Sequence, residues 1–378
     1  MFKNLFKFIS AKKKFFPPKK TNILFFDHIF KKEISHSLDK NQISVLDIRK
    51  NEINIYVLFF MLLKFEKINF ENYLKNYILL SNCKVVITGN DNYLYFYVLK
   101  NFFPDKKFIS IQNGFRNFKF FKSLKKYKNL KADYVIGLNK SFCNLYKKYI
   151  RTKTIALGSV RNNYFKINKK GSQQKRLLFI SNGNAALRPI VKTGGLKFEG
   201  KKFFEPDIKL LSFLSKYCLK KKLILNVYLK AIGKTKGLKE IEFFKKRISN
   251  DKIVYISKKK QGSNKLYSLC DKSAVTITSA STIGLENLSR MNKTAIFNNR
   301  AKLSKKIIDI FWNYRMKKKG FFWTDENYDQ KEVNKILDRI IGMKITSWKS
   351  KIKKIVKDLM VYDYENRQII NLIKKSIK

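Results

Sequence analysis

"SAVTITSASTIGLENLSRMNKTAIF", residues 273–297, opens with an apolar β-rich run and closes with another. Between them it gathers hydroxyl side chains, a glycine and Glu286. A run that is apolar on both faces suits a parallel sheet covered by helices on each side. The intervening segment, near 282–291, reads as the helix that returns the chain to the next parallel strand. One βαβ unit is written in this stretch. Its polar turn falls where open α/β sheets bind ligands, beyond the carboxyl ends of the strands.

The alternation extends outward from that unit. In the first half, "NILFFD", "ISVLDIR", "KVVIT", "KFISIQN", "DYVIGL" and "TIALGS" are predicted strands. "NIYVLFFMLLKF", "ENYLKNYILL", "NYLYFYVLKNF" and "NKSFCNLYKKYI" are predicted helices between them. After the polar stretch "NYFKINKKGSQQK", which reads as a linker, a second set of strands begins: "RLLFISN", "LILNVYLK", "KIVYIS", "SAVTITSA" and "KTAIFNN". Helices are expected near 205–221, 238–249, 264–271, 282–291 and 329–342, and the tail after residue 345 reads as helical, able to pack back across both halves. The expected organisation is a basic N-terminal segment (1–20), a Rossmann-like domain (21–163), a linker (164–175), a second Rossmann-like domain (176–345) and C-terminal helices (346–378). No short-period repeat points to a solenoid.

Composition supports a two-domain globular chain: 378 residues, 44% apolar and 15% aromatic. Lys and Arg number 83 against 27 acids, a formal charge of +56 that favours anionic partners. The lysines run from end to end, enriched together with Asn, Ile and Phe as in an AT-rich genome, rather than collected into the stripe or arm of a nucleic-acid reader. Cys83, Cys143, Cys218 and Cys270 lie far apart, and only His28 and His36 add imidazole. A zinc site or a disulfide framework is therefore not expected, and the thiols read as core residues of a cytoplasmic protein. In "MFKNLFKFISAKKKFFPPKK", lysines interrupt every apolar stretch, which argues against a secretory signal. Phe2, Leu5, Phe6 and Ile9 would share a helical face amid lysines, the pattern of a peptide lying on an anionic bilayer at the inner face of the membrane. The longest apolar run, "IYVLFFMLL" at 55–63, is too short to span a bilayer.

Polar residues just after the predicted strands are the site candidates. They are His28; Asp91 and Asn92; Gln112, Asn113, Gly114 and Arg116; Gly158, Ser159, Arg161 and Asn162; Asn182 and Gly183; Lys230; and Ser279, Ser281 and Thr282, followed by Gly284 and Glu286. Ser281 or Thr282 at a helix start would expose free amides and the positive end of the helix dipole, suited to phosphate. Glu286, about one turn in, suits ribose hydroxyls; the alternative is that the hydroxyls only cap the helix. Neither a GxxxxGK[ST] nor a GxGxxG loop is present, which argues against a P-loop NTPase or an NAD enzyme.

"VVITGNDNYLYFYVLKNFFPDKKFISIQNGFR" (85–116), "LGSVRNN" (157–163), "STIGLENLSRMNKTAIF" (281–297) and "GFFWTDENYDQKEVNKILDRI" (320–340) together resemble the bacterial surface carbohydrate biosynthesis family. Its members are O-antigen and surface-polysaccharide enzymes of GT-B-like architecture, with two facing Rossmann domains. The resemblance runs over about residues 21–350 in the same order, with Ile283 in place of a leucine and Gly89 where a bulkier residue is expected. It implies a glycosyltransferase that moves a sugar from a nucleotide-activated donor to a glycan or lipid-linked acceptor, with neither metal nor cofactor.

On that reading Asn182, Gly183, Lys230, Ser279, Ser281, Thr282, Gly284 and Glu286 face the donor nucleotide. Asn92, Gln112, Asn113, Gly114 and Arg116 face the acceptor, and Gly158, Ser159, Arg161 and Asn162 lie between the domains. Asp91 is the first candidate for the catalytic base and His28 the second; Asp91 could instead cap the helix starting at Asn92 or Tyr93. Polyol-phosphate transfer and sugar epimerisation are alternatives on the same fold. A non-enzymatic nucleic-acid-binding protein is the alternative of a different class.

Overall fold

A computed structural model of the chain describes residues 11–47, 52–116, 118–168, 173–193, 196–248, 252–258, 263–279, 281–298, 319–324 and 328–377. The interfacial reading of Phe2, Leu5, Phe6 and Ile9 lies outside these residues. The chain forms two compact units, one of residues 1–114, 120–164 and 361–378, the other of 115–119 and 165–360.

The first unit is built on six parallel strands: β1 (Ile23–Phe25), β2 (Ile43–Val45), β3 (Val85–Thr88), β4 (Lys107–Ile111), β5 (Lys131–Gly137) and β6 (Arg151–Ala156). They lie in the order β2-β1-β3-β4-β5-β6. These are the six runs predicted from the sequence. Alternate residues serve opposite faces, as a period of two requires. Ile23, Phe25, Val85, Ile87, Ile109 and Ile111 form one core with Ile369 and Ile373 of the helix Arg367–Ile377. On aromatic residues elsewhere in the unit, Phe96 packs edge-on to Phe26 and tilted against Phe108, with ring centroids 5.5 and 5.1 Å apart. Each such fully buried side chain contributes roughly 1.5–3 kcal/mol.

The second unit repeats the plan with β7 (Gln173–Ile180), β8 (Ile224–Ile232), β9 (Ile253–Lys258), β10 (Ser273–Thr278), β11 (Thr294–Phe297) and β12 (Trp323–Thr324), ordered β9-β8-β7-β10-β11-β12 and all parallel. Leu178, Ile180 and Tyr228 pack on Leu266 and Cys270 of the helix Ser263–Lys272. The expected helices are present, the longest among the described residues spanning Gly200–Lys220. β12 and an antiparallel pair, Ile190–Thr193 with Leu196–Glu199, were not among the expected elements.

One further feature differs from the sequence reading, and another follows it. Lys12–Lys14, within the expected basic N-terminal segment, forms a strand that pairs in parallel with Glu52–Asn54. The C-terminal tail is helical and serves both units, as expected: Ile345–Leu359 belongs to the second, whereas Arg367–Ile377 covers the first sheet. The tail turns at Gly158, whose φ of +78° and bridge to Tyr362 fit only glycine easily, since a Cβ there would lie 1.9 Å from the Val361 carbonyl oxygen. The four cysteines are buried. Burial pushes all four thiols up, those of Cys218 and Cys270 to about 12, as expected of core residues.

Candidate active site

Each sheet has one place where its strand order reverses: between β1 and β3 in the first unit, and between β7 and β10 in the second. At such a point the connections leave in opposite directions and open a crevice at the carboxyl ends of the strands.

In the second unit, β7 is followed by Ser181-Asn182-Gly183. Gly183 has φ +100°, and its N–H donates to Ser181 Oγ at 3.0 Å. A side chain there would find the Lys230 stem at 3.8 Å and an Arg188 guanidinium nitrogen at 3.9 Å. Two cations thus flank a glycine turn at the end of β7. The buried carboxylate of Glu240 fixes this lip. It accepts Ser181 O–H at 2.6 Å and Lys230 N–H at 3.3 Å on one oxygen, and Ala231 N–H at 2.7 Å on the other. The ends of β7 and β8 are tied through one side chain.

The opposite lip follows β10. Asn182 Nδ2 donates to Ser279 Oγ at 2.7 Å, and the Ser279 hydroxyl donates to the buried Asp207 on the helix Gly200–Lys220. With the Ser279 proton directed to Asp207, its oxygen is the acceptor for Asn182. Ser281 caps the helix Thr282–Ser289, accepting from Ile283 N–H at 3.3 Å. Gly284 lets that helix approach β10 closely, because a Cβ there would come within 2.6 Å of Thr278 Cγ2. Glu286 is buried and accepts Tyr267 O–H at 2.7 Å. Thr282, the first helical residue, is half-buried.

Behind this crevice, Arg290 and Asp271 form a fully buried ion pair at 2.5 Å. Arg290 also donates to the carbonyls of Phe165 and Lys166, and Asp271 accepts Asn168 N–H and Asn292 Nδ2. The start of the expected linker is thereby fastened to the second unit.

In the first unit, a pocket of about 640 Å³ is lined by His28, Lys32, Glu33, Asp47, Asn113 and Arg161. It gathers residues that follow β1, β2, β4 and β6. Asp27 accepts Ile29 N–H at 2.6 Å in an Asx turn and so orients the loop that carries the exposed His28. Arg161 reaches Glu33 at 3.8 Å. Gly89 admits this same loop, since a Cβ would lie 2.6 Å from Ile29 Cγ2.

Several sequence candidates fall elsewhere. Asp91 is fully buried, accepting Asn113 N–H at 2.9 Å on one carboxylate oxygen and Tyr146 O–H at 2.5 Å on the other. A carboxylate held in that way positions the Asn113 loop and does not fit a base that must reach an acceptor hydroxyl. It does not cap a helix either: the next helix starts at Leu94, with Tyr93 at its N-cap.

Gln112 is likewise buried and spends both ends of its amide on backbone, donating to Gly114 O at 2.8 Å and accepting Leu138 N–H at 3.0 Å. It shapes the loop instead of orienting a sugar. Asn92 is exposed, and Gly114 has open space where a side chain would stand. Arg116 groups with the second unit and does not line the pocket. The residues expected between the domains belong to the first unit: Gly158 meets the tail, Ser159 Oγ accepts from the N–H of the buried Asn162 at 3.4 Å, and Arg161 lines the pocket.

Asp207, Glu240 and Arg188 in the second unit, and Asp27, Lys32, Glu33 and Asp47 in the first, were not among the sequence candidates. Asp207 and Glu240 carried a usable signal. Each falls on the apolar stripe of its helix, Asp207 beside Phe203, Phe204 and Leu211, Glu240 between Gly237 and Phe244. A carboxylate on a core-facing stripe needs partners.

Solved structures with this fold include the wall teichoic acid polymerase TagF, with a TM-score of 0.53 and 13% identity over 95% of this chain and 90% of that one. The Staphylococcus aureus MnaA–UDP co-structure has a TM-score of 0.53 and 12% identity over 94% and 96%. At such identities the likeness is one of fold, and it agrees with the expected α/β, GT-B-like class. No curated protein matches the sequence. Residues 109–377 match the family described as "putative O-antigen biosynthesis protein", and the chain belongs to that family.

Proposed function

We propose that the protein is a glycosyltransferase that transfers a sugar from a nucleotide-activated donor to an O-antigen or related surface-polysaccharide precursor. The observation that carries this reading is the crevice of the second unit: a left-handed glycine flanked by Lys230 and Arg188, facing the capped start of the helix Thr282–Ser289. Cations and free helix amides are what a departing nucleoside diphosphate needs as charge builds on its bridging oxygen. Lys230 and Arg188 neutralise the diphosphate, Asn182 and Ser279 line the crevice, and Glu286, oriented by Tyr267, accepts the ribose hydroxyls.

The acceptor occupies the pocket of the first unit. Glu33, Asp47 and Asn113 offer hydrogen-bond acceptors to its hydroxyls, while Lys32 and Arg161 supply positive charge. His28, exposed at the pocket and carried on the loop that Asp27 orients, takes the proton of the attacking hydroxyl. That hydroxyl attacks the anomeric carbon, the bond to the diphosphate breaks, and the nucleotide leaves with the electron pair. A lipid-linked acceptor would bring the protein to the inner face of the cytoplasmic membrane as a peripheral protein.

The test is transfer itself. Purified protein is incubated with nucleotide sugars and lipid-linked precursor, and the products are followed by mass spectrometry. Sugar added to the precursor, lost in His28→Ala while nucleotide binding persists, supports the assignment. A donor consumed to give a free epimer, or a product carrying a polyol phosphate, would replace it with those reactions on the same crevice. Affinity for RNA that falls steeply with salt, together with no turnover, would replace it with nucleic-acid binding.

A further inference from the structure

Helix Ile55–Leu63, "IYVLFFMLL", is apolar all round, a composition that ordinarily marks a helix covered on every side. Only Val57 and Met61 are buried. Phe59, Leu62 and Leu63 are more than half exposed, and Phe65 and Ile68 continue the patch beyond the helix. Phe15 and Phe16 join it at the other end: they follow the strand Lys12–Lys14 that pairs with Glu52–Asn54, and Asn54 Nδ2 donates to Phe16 O at 3.0 Å beside the helix start. Singly exposed apolar residues are ordinary, but seven on one helix and the segments at its two ends mark an interaction surface.

The end of this helix is unusual. Phe65 N–H donates to Leu62 O and Glu66 N–H to Met61 O, at 3.0 Å each, the paired bonds of a Schellman motif. That motif requires a left-handed residue, usually glycine, yet the position holds Phe65 at φ +53° with its side chain 98% exposed. An aromatic residue is thus kept in a backbone region it disfavours and displayed fully to solvent. Packing within the fold explains neither choice.

Charge selects the partner. Exposed lysines 12, 19, 20, 64 and 67 flank the apolar residues along the chain. The nearby acids are engaged within the unit, Glu52 with Lys14 and Glu66 with Asn76. A second copy would bring the same cations against these, which disfavours self-association. We infer that this surface, the helix Ile55–Leu63 with Phe15, Phe16, Phe65 and Ile68, docks on an anionic lipid bilayer. The aromatic and aliphatic side chains enter the headgroup boundary, and the lysines meet the lipid phosphates. This gives the membrane contact of the proposed function a location, but it stands on the surface alone. Its failure would leave the donor crevice untouched, because nucleotide binding is measured separately.

The experiment is co-sedimentation of the full chain with vesicles of phosphatidylcholine alone and of phosphatidylcholine with about one-quarter phosphatidylglycerol. Binding is expected to the anionic vesicles only, and to weaken with salt. Phe59→Asp with Leu63→Asp should reduce the partition coefficient by about tenfold or more. Phe65→Gly separates the docking role from a structural one: it should weaken vesicle binding without lowering the melting temperature, since glycine suits the left-handed position. The inference is overturned by unchanged partition of both variants. A dimer in solution that the aspartate variants dissociate would also overturn it, by assigning the surface to a second copy.

Discussion

Glu240→Gln perturbs the donor crevice while keeping its shape. In the native protein the carboxylate receives three hydrogen bonds, from Ser181 O–H at 2.6 Å, Ala231 N–H at 2.7 Å and Lys230 N–H at 3.3 Å. Bonds to a charged acceptor contribute about 1.5–3 kcal/mol each, and neutral ones about 0.5–1.5 kcal/mol. Glutamine retains one good acceptor. Its carbonyl suits Ala231 N–H, which cannot turn away. The amide then faces Ser181 Oγ, whose hydroxyl must rotate, and the bond from Lys230 N–H to the carboxylate is lost. Removing a buried charge offsets part of this loss, leaving a net destabilisation of about 2 kcal/mol. Because the same bonds hold the Gly183 turn and the start of the Lys230 side chain, nucleotide affinity should fall by roughly tenfold, equivalent to about 1.4 kcal/mol. Urea unfolding at constant m-value reads the first effect, and isothermal titration reads the second. A variant within about 0.5 kcal/mol of wild type, with undiminished affinity, refutes the reasoning.

Arg290→Met should cost about 3–5 kcal/mol by leaving Asp271 buried without its cation, and adding Asp271→Leu should recover much of that in a urea double-mutant cycle. Gly158→Ala places a methyl group against the Val361 carbonyl at a left-handed position. The expected cost is about 2–4 kcal/mol, with the C-terminal helix cleaved faster in limited proteolysis. The four buried cysteines should resist a thiol reagent in the native state and react together on unfolding, because burial holds their thiols protonated. Fast reaction of Cys218 or Cys270 in native buffer would contradict their placement.

Most of the scaffold was legible because parallel strands buried on both faces are spelled as short, nearly unbroken apolar runs. That rule found all six strands of the first sheet and five of the second. It missed Trp323–Thr324, whose two residues are too few to show a period, and the polar pair at 190–199, which is not part of either parallel sheet. Strand ends named residues that the structure gathers beyond both sheets, among them His28, Asn113, Asn182, Lys230 and Ser279, but not the direction of each side chain. Asp91 and Gln112 stand where ligand-binding residues were expected, yet point into the protein, and nothing in their own segments distinguishes the two directions. Such a difference depends on Tyr146 and Leu138, brought in by later strands and helices. Asp207 and Glu240 were readable in principle from their helix stripes. Phe65 could not be, since its left-handed backbone is visible only once the helix end is built.

The central claim is that the second unit holds the nucleotide of an activated sugar between the Gly183 turn and the helix Thr282–Ser289. The most direct measurement is equilibrium titration of the full chain with UDP, GDP, CDP, CMP and dTDP, repeated on Lys230→Ala and Glu286→Ala. Saturable binding that prefers one base, weakened by roughly tenfold or more in each variant, is the expected result. Absence of binding to every nucleotide, or binding that neither variant alters, would contradict the claim.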